Sequence, residues 1–162
     1  MKYIVVLSVM FVLAACRQQE SKIPGLQAEI DSLKHQLDNA YKPGFGEFMG
    51  NIQVHHDKLW FAGINNNWDL AEFEINEIKE SLDDITKYCT DRPETNSIDM
   101  IEQPLQNVSN AIQDKNIKEF KNSFMTLTST CNSCHQATKH EFNVIIVPST
   151  PPFSNQSFKA VQ

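Results

Sequence analysis

The chain has 162 residues, with 14 basic and 20 acidic side chains, and carries a formal net charge of −6 when its five histidines are neutral. That length accommodates one compact domain plus targeting or linker sequence and excludes a multidomain protein. No Lys/Arg cluster forms the basic stripe that phosphate backbones require, so nucleic acid is not an expected partner.

Residues 1–15 read as an export signal. Lys2 supplies the positive start, and Ile4 to Leu13 form an apolar stretch too short to span a bilayer, which takes about 20 apolar residues. Leu13-Ala14-Ala15-Cys16 is similar to the lipobox of bacterial lipoproteins. The resemblance implies that Cys16 becomes a lipid-bearing amino terminus and that the mature protein faces the periplasm. Arg17, where an aspartate would favour inner-membrane retention, points to the outer membrane. The alternative is an ordinary secretory signal in which Cys16 is incidental.

Residues 16–44 are expected to hold the lipid and a helical spacer. Leu26, Ile30, Leu33 and Leu37 recur at alternating intervals of four and three, an a/d pattern, within a helix predicted over Ser21 to Tyr41. The pattern fits a spacer with weak self-association, which leaves room for a homodimer. Lys42-Pro43-Gly44-Phe45-Gly46 is the strongest break in the chain, and the globular domain is expected to start there.

From residue 45 to 142 the periodicity predicts four helices: Glu47 to Ile64, Trp68 to about Tyr88, Ile98 to Asp114, and Ile117 to His140 or Phe142. Asn67 is the expected N-cap of the second, and Pro104 should kink or delay the third. In the second, Ala71, Ile75, Ile78, Leu82 and Ile85 make one apolar stripe opposite Glu72, Glu77, Glu80 and Asp84. Short loops and the lack of alternating strand patterns predict an all-α fold, an antiparallel four-helix bundle. The tail, residues 143–162, carries Val144-Ile145-Ile146-Val147 followed by Pro148, Pro151 and Pro152, and should run extended over the domain.

Cys131-Asn132-Ser133-Cys134-His135 has the C-x-x-C-H spacing by which two thiols attach a c-type haem and the adjacent histidine binds its iron. On a helix these residues fall at i, i+3 and i+4, so both thiols and the imidazole face one macrocycle. Phe120, Phe124 and Leu127 upstream and Phe142 downstream are expected to provide an apolar wall. A Cys131–Cys134 redox disulfide would call for a βα context, and a zinc site with Cys89 would call for a second closely spaced ligand pair.

Over residues 45–142 this arrangement resembles the cytochrome c-prime type, a helical bundle with C-x-x-C-H on its last helix. His56-Asp57-Lys58-Leu59-Trp60-Phe61-Ala62-Gly63, Asn67-Trp68 and Pro151-Pro152-Phe153-Ser154-Asn155-Gln156 are also similar to segments of a little-characterised group of exported bacterial proteins related to cytochromes. The chain departs from the cytochrome c-prime pattern in its N-terminal helix, in the 27 residues that follow His135, and in the histidines of its first bundle helix.

For the sixth iron position, helical geometry turns His56 toward the apolar arc of Phe48, Ile52, Leu59 and Trp60, and leaves His55 toward solvent. The other reading of His56 is a buried histidine hydrogen-bonded to a carbonyl or to Asp69, or one that lines the cavity. Met49 is a further candidate, and a thioether there would raise the potential, but leucine-like core packing is its expected role. His140 is set aside because it is expected on the same helix as His135. Trp60 and Trp68 should pack the bundle end, and Cys89 should be a free buried thiol.

These residues point to a non-catalytic, membrane-anchored carrier of electrons between redox partner proteins, with one covalent haem c. A five-coordinate gas-binding or gas-sensing haem protein and a haem-free structural lipoprotein are the alternatives. A peroxidase-like enzyme would need an arginine beside the iron, whereas Arg17 lies in the tether and Arg92 in a loop.

Overall fold

The computed structural model describes residues 23–38, 40 and 42–160. Residues 1–15, which the sequence reads as an export signal, and with them Cys16 and Arg17, lie outside the described residues. The described chain is all-helical, with no strand among its residues, and forms two compact units, one up to Lys42 and one from Pro43 onward. None of the described helices is long and apolar enough to cross a membrane.

In the first unit, α1 spans Ile23–Asp38. Pro24 lies in its first turn, where a missing N–H leaves no intrahelical bond unmade. The stripe of Ile23, Leu26, Ile30, Leu33 and Leu37 is exposed along its whole length.

The second unit holds α2 (Phe45–Ile64), α3 (Trp68–Tyr88), α4 (Glu102–Gln113) and α5 (Ile117–Ala137). α2 begins two residues earlier than the sequence suggested, because extended Gly44 is the N-cap and its carbonyl accepts from Glu47 and Phe48. Asn67 caps α3 by accepting from the Leu70 N–H at 3.3 Å, a contact worth about 1 kcal/mol. The third predicted helix is divided: a 3-10 helix over Pro93–Ile101 leads into α4, which starts only at Glu102 with Pro104 in its first turn.

α2, α4 and α5 end in the same way. The residue after the C-cap takes positive φ, 56° at Asn66, 50° at Lys115 and 63° at Lys139. In each case that residue and the next return N–H groups to the last turn, for example Lys139 to Gln136 O at 3.2 Å and His140 to His135 O at 2.7 Å. This is the Schellman arrangement, which satisfies carbonyls that the helix end would otherwise leave open. It also corrects the last element: α5 stops at Ala137, so His140 and Phe142 lie beyond the helix.

α2 packs on α3, α3 on α4, α4 on α5, and α5 on α2. Between them Leu59, Ile75, Ile85, Val108, Phe120 and Phe124 are fully buried, each burial contributing about 1.5–3 kcal/mol. The stripe predicted on α3 is the one that is buried. Trp60 lies tilted against Phe124 with ring centroids 4.9 Å apart, and Trp68 meets Phe120 edge-on at 6.1 Å, so both indoles pack this core. Gly63 makes the α2–α5 approach possible, since a Cβ there would come within 2.1 Å of Phe120 Cζ.

The tail has no strand partner, yet it is fastened at several points. Phe158 is buried against Phe61 at 5.7 Å, and Asn67 Nδ2 donates to Lys159 O at 3.2 Å.

Candidate functional site

A cavity of about 430 Å³ opens between the first half of α2, α3, the 3-10 helix, the end of α5 and the start of the tail. Its volume lies within the range of ligand sites, roughly 300–1,000 Å³. Cys131, Cys134 and His135 all line it, together with His56 and Met49. Ile52, Ile78, Leu82, Ile98 and Leu127 supply apolar walls. Helical spacing thus puts the C-x-x-C-H side chains on the face of α5 that looks into this mostly apolar cavity.

His135 meets the chain that turns back after Lys139: its Nδ1 lies 2.6 Å from the Asn143 carbonyl oxygen. A carbonyl can only accept, so Nδ1 carries the proton and Nε2 keeps its lone pair. That is the tautomer and support found for metal-bound histidines, in which one nitrogen donates to a carbonyl or carboxylate and the other binds the metal.

Cys131 and Cys134 are free thiols. Burial, with Cys134 alongside, pushes the Cys131 thiol up to about 11, and burial raises that of Cys134. Both are therefore protonated at neutral pH and resist exchange chemistry, which proceeds through thiolates. Among the described residues no group of three or more His, Cys, Asp or Glu converges to hold a metal ion. Cys89 is a buried free thiol at the end of α3, as expected.

His56 is buried and lies face to face with Phe124, ring centroids 4.4 Å apart. Its Nε2 is 2.8 Å from Thr128 Oγ1, so the partner is neither a carbonyl nor Asp69. Desolvation holds its pKa down at about 4, so the imidazole is neutral at pH 7.

Three expectations need correction. His55 is buried rather than solvated, with Nδ1 2.6 Å from the buried carboxylate of Glu74 and Nε2 3.9 Å from Glu77. The apolar arc of α2 is wide enough to take both histidines because α3 lies along one side of α2 and α5 along the other. Phe142 is 80% exposed and builds no wall, since α5 has ended before it. Phe120 and Phe124 lie deeper in the core, and of the predicted wall Leu127 alone lines the cavity.

Arg92 also lines the cavity, although the sequence placed it only in a loop. It grips Glu94 through two bonds of 2.9 and 3.2 Å, which holds that carboxyl down at about 2. His140 is off the helix and lines the same cavity, its Nε2 4.0 Å from Glu94, so the geometric ground for setting it aside does not hold. Sequence reasoning missed Glu74 and Thr128, which carry no motif; a glutamate within a helix reads as solvent-facing until its neighbours are known.

The donor set fits a c-type haem. Two protonated thiols and an imidazole with a free Nε2 share an apolar cavity of suitable size. Comparison with protein-family models, curated proteins and solved structures gives no match, so the functional reading rests on this geometry.

Proposed function

We propose that the protein is a membrane-anchored monohaem c-type cytochrome that carries electrons between redox partner proteins in the periplasm without turning over a substrate. The supporting observation is the convergence of Cys131, Cys134 and His135 on one apolar cavity, with His135 Nδ1 tied to a carbonyl. Cys131 and Cys134 would hold the group through thioether bonds, and His135 would offer Nε2 to its iron. When bound, the haem iron supplies one-electron chemistry between its ferric and ferrous states.

The rest follows from the chain's own residues. Ile52, Ile78, Leu82 and Leu127 exclude water and so disfavour the more highly charged ferric state. In this reading α2–α5 form an antiparallel four-helix bundle, which the short turns at Asn65–Asn67 and Asp114–Asn116 support. Cys16 bears the lipid, which holds the protein in the outer membrane, and α1 spaces the domain from it, with its exposed apolar stripe available for self-association.

His56 is the proposed sixth ligand, because it lies in the wall of the same cavity. Ligation through Nε2 requires it to release Thr128. That bond favours a second reading, in which His56 stays on Thr128 and a five-coordinate iron binds a small gas molecule. Absorption spectra of the exported protein with and without carbon monoxide separate them. A low-spin spectrum insensitive to the gas and lost in His56→Ala supports the carrier; a high-spin spectrum that shifts with the gas overturns it in favour of gas binding.

A further inference from the structure

The two residues between the cysteines of a C-x-x-C-H motif are not required by its chemistry, and here they behave differently. Ser133 Oγ donates to Ser129 O on its own helix at 3.1 Å. Asn132 reaches away from the helix to the tail. Its Nδ2 donates to Ile145 O at 2.8 Å, and its Oδ1 accepts from Ile145 N at 2.8 Å.

One side-chain amide therefore satisfies both backbone groups of a residue that has no strand partner, as a neighbouring strand would. The segment before Ile145 is pinned at its other end as well. Lys139, at φ 63°, turns the chain back across the end of α5, and Asn143 N donates to His140 O at 2.9 Å. Asn143 thus sits between a turn and a clamp, and its carbonyl points at His135 Nδ1. Asn132 and His135 are three residues apart on α5 and so share the face that meets the tail.

We propose that Asn132 is a positioning residue: by clamping Ile145 it delivers the Asn143 carbonyl to His135 Nδ1 and fixes that imidazole with Nε2 open to the iron. The effect on the imidazole belongs to the chain alone, whereas its bearing on the iron rests on the haem reading above. An imidazole that donates from Nδ1 to a carbonyl is the stronger electron donor at Nε2, which favours ferric iron. The tail is then a tuning element for the proximal ligand, and residue 132 is the latch that holds it.

The test compares the full exported chain with Asn132→Ala and Asn132→Asp. In haem-free protein, nitrogen NMR should find His135 protonated at Nδ1 in the wild type. In Asn132→Ala the population should move toward the Nε2-protonated form, and the Ile145 amide should exchange roughly tenfold faster. Asn132→Asp keeps only the acceptor for the Ile145 N–H and should fall between them. In haem-loaded protein, Asn132→Ala should shift the midpoint potential upward. A His135 tautomer and an Ile145 exchange rate that are the same in Asn132→Ala as in the wild type would overturn the proposal. A wild-type chain that takes up no haem would sink the haem reading instead, and the haem-free spectra would still decide the clamp.

Discussion

His56 and Thr128, 72 positions apart in sequence, are joined by a 2.8 Å contact between Nε2 and Oγ1. Thr128 directs its hydroxyl hydrogen to Phe124 O at 2.9 Å, so its oxygen can only accept from His56. His56 is therefore the Nε2–H tautomer, neutral and buried. Its folded pKa, about 4, lies below its ordinary value of 6.5. The unfolded chain thus binds the extra proton first, and stability is complete above pH 6.5 and falls as pH drops toward 4. In haem-free protein the loss from this residue should reach roughly 3 kcal/mol by pH 4. Denaturant midpoints measured from pH 7 to 4 should show it, and His56→Gln, which does not titrate, should flatten that part of the curve.

Thr128→Val keeps the shape of the side chain and removes the acceptor. It leaves the buried His56 N–H without a partner, and haem-free protein should lose about 1–3 kcal/mol of unfolding free energy. In haem-loaded protein the same change frees His56, so the low-spin fraction of the absorption spectrum should rise. No change in that fraction would mean that Thr128 does not compete for the imidazole.

Glu74 is 1% exposed, with His55 Nδ1 at 2.6 Å and Lys58 Nζ at 3.9 Å beside its carboxylate. Removing one member of a buried pair strands the other, and Glu74→Ala should cost about 3–5 kcal/mol in equilibrium unfolding. Glu77→Ala, 3.9 Å from the far nitrogen of His55 and partly exposed, should cost under about 1 kcal/mol. Equal losses in the two variants would show that the buried carboxylate has no special place.

Gly63→Ala sets one methyl group against the fully buried ring of Phe120. Overpacking of this kind costs about 1–3 kcal/mol, which should appear as a lowered melting temperature. Phe120→Leu in the same chain should recover part of it, because the overlapping ring atoms are gone. Gly50, with nothing within 4 Å of an added Cβ, should accept alanine without loss.

The helices of the second unit were legible because their signals are local. The α3 stripe, the Asn67 cap and the break at Pro43-Gly44 each lie within a few residues of one another. What was illegible depends on partners distant in sequence. Whether His55 faces water is decided by Glu74, one helix away. The end of α5 was overrun because Lys139, a residue without glycine's freedom at positive φ, serves as the turning point. The third helix, expected from Ile98, is 3-10 over Pro93–Ile101 and becomes α-helical only from Glu102. That Cys131, Cys134 and His135 share one helix face was legible from their spacing, but the Asn143 carbonyl at His135 Nδ1 was not, because a backbone oxygen brought back by a Schellman turn leaves no trace in composition.

On the proposed function, Cys131 and Cys134 carry a covalent haem whose iron is held by His135. The most direct measurement is the intact mass and denatured absorption spectrum of the chain exported together with haem-maturation machinery. One haem per chain that survives denaturation, and is lost when Cys131 and Cys134 are both changed to serine, is the predicted result. A chain that leaves the cell with its full complement of thiols and no bound haem would contradict it.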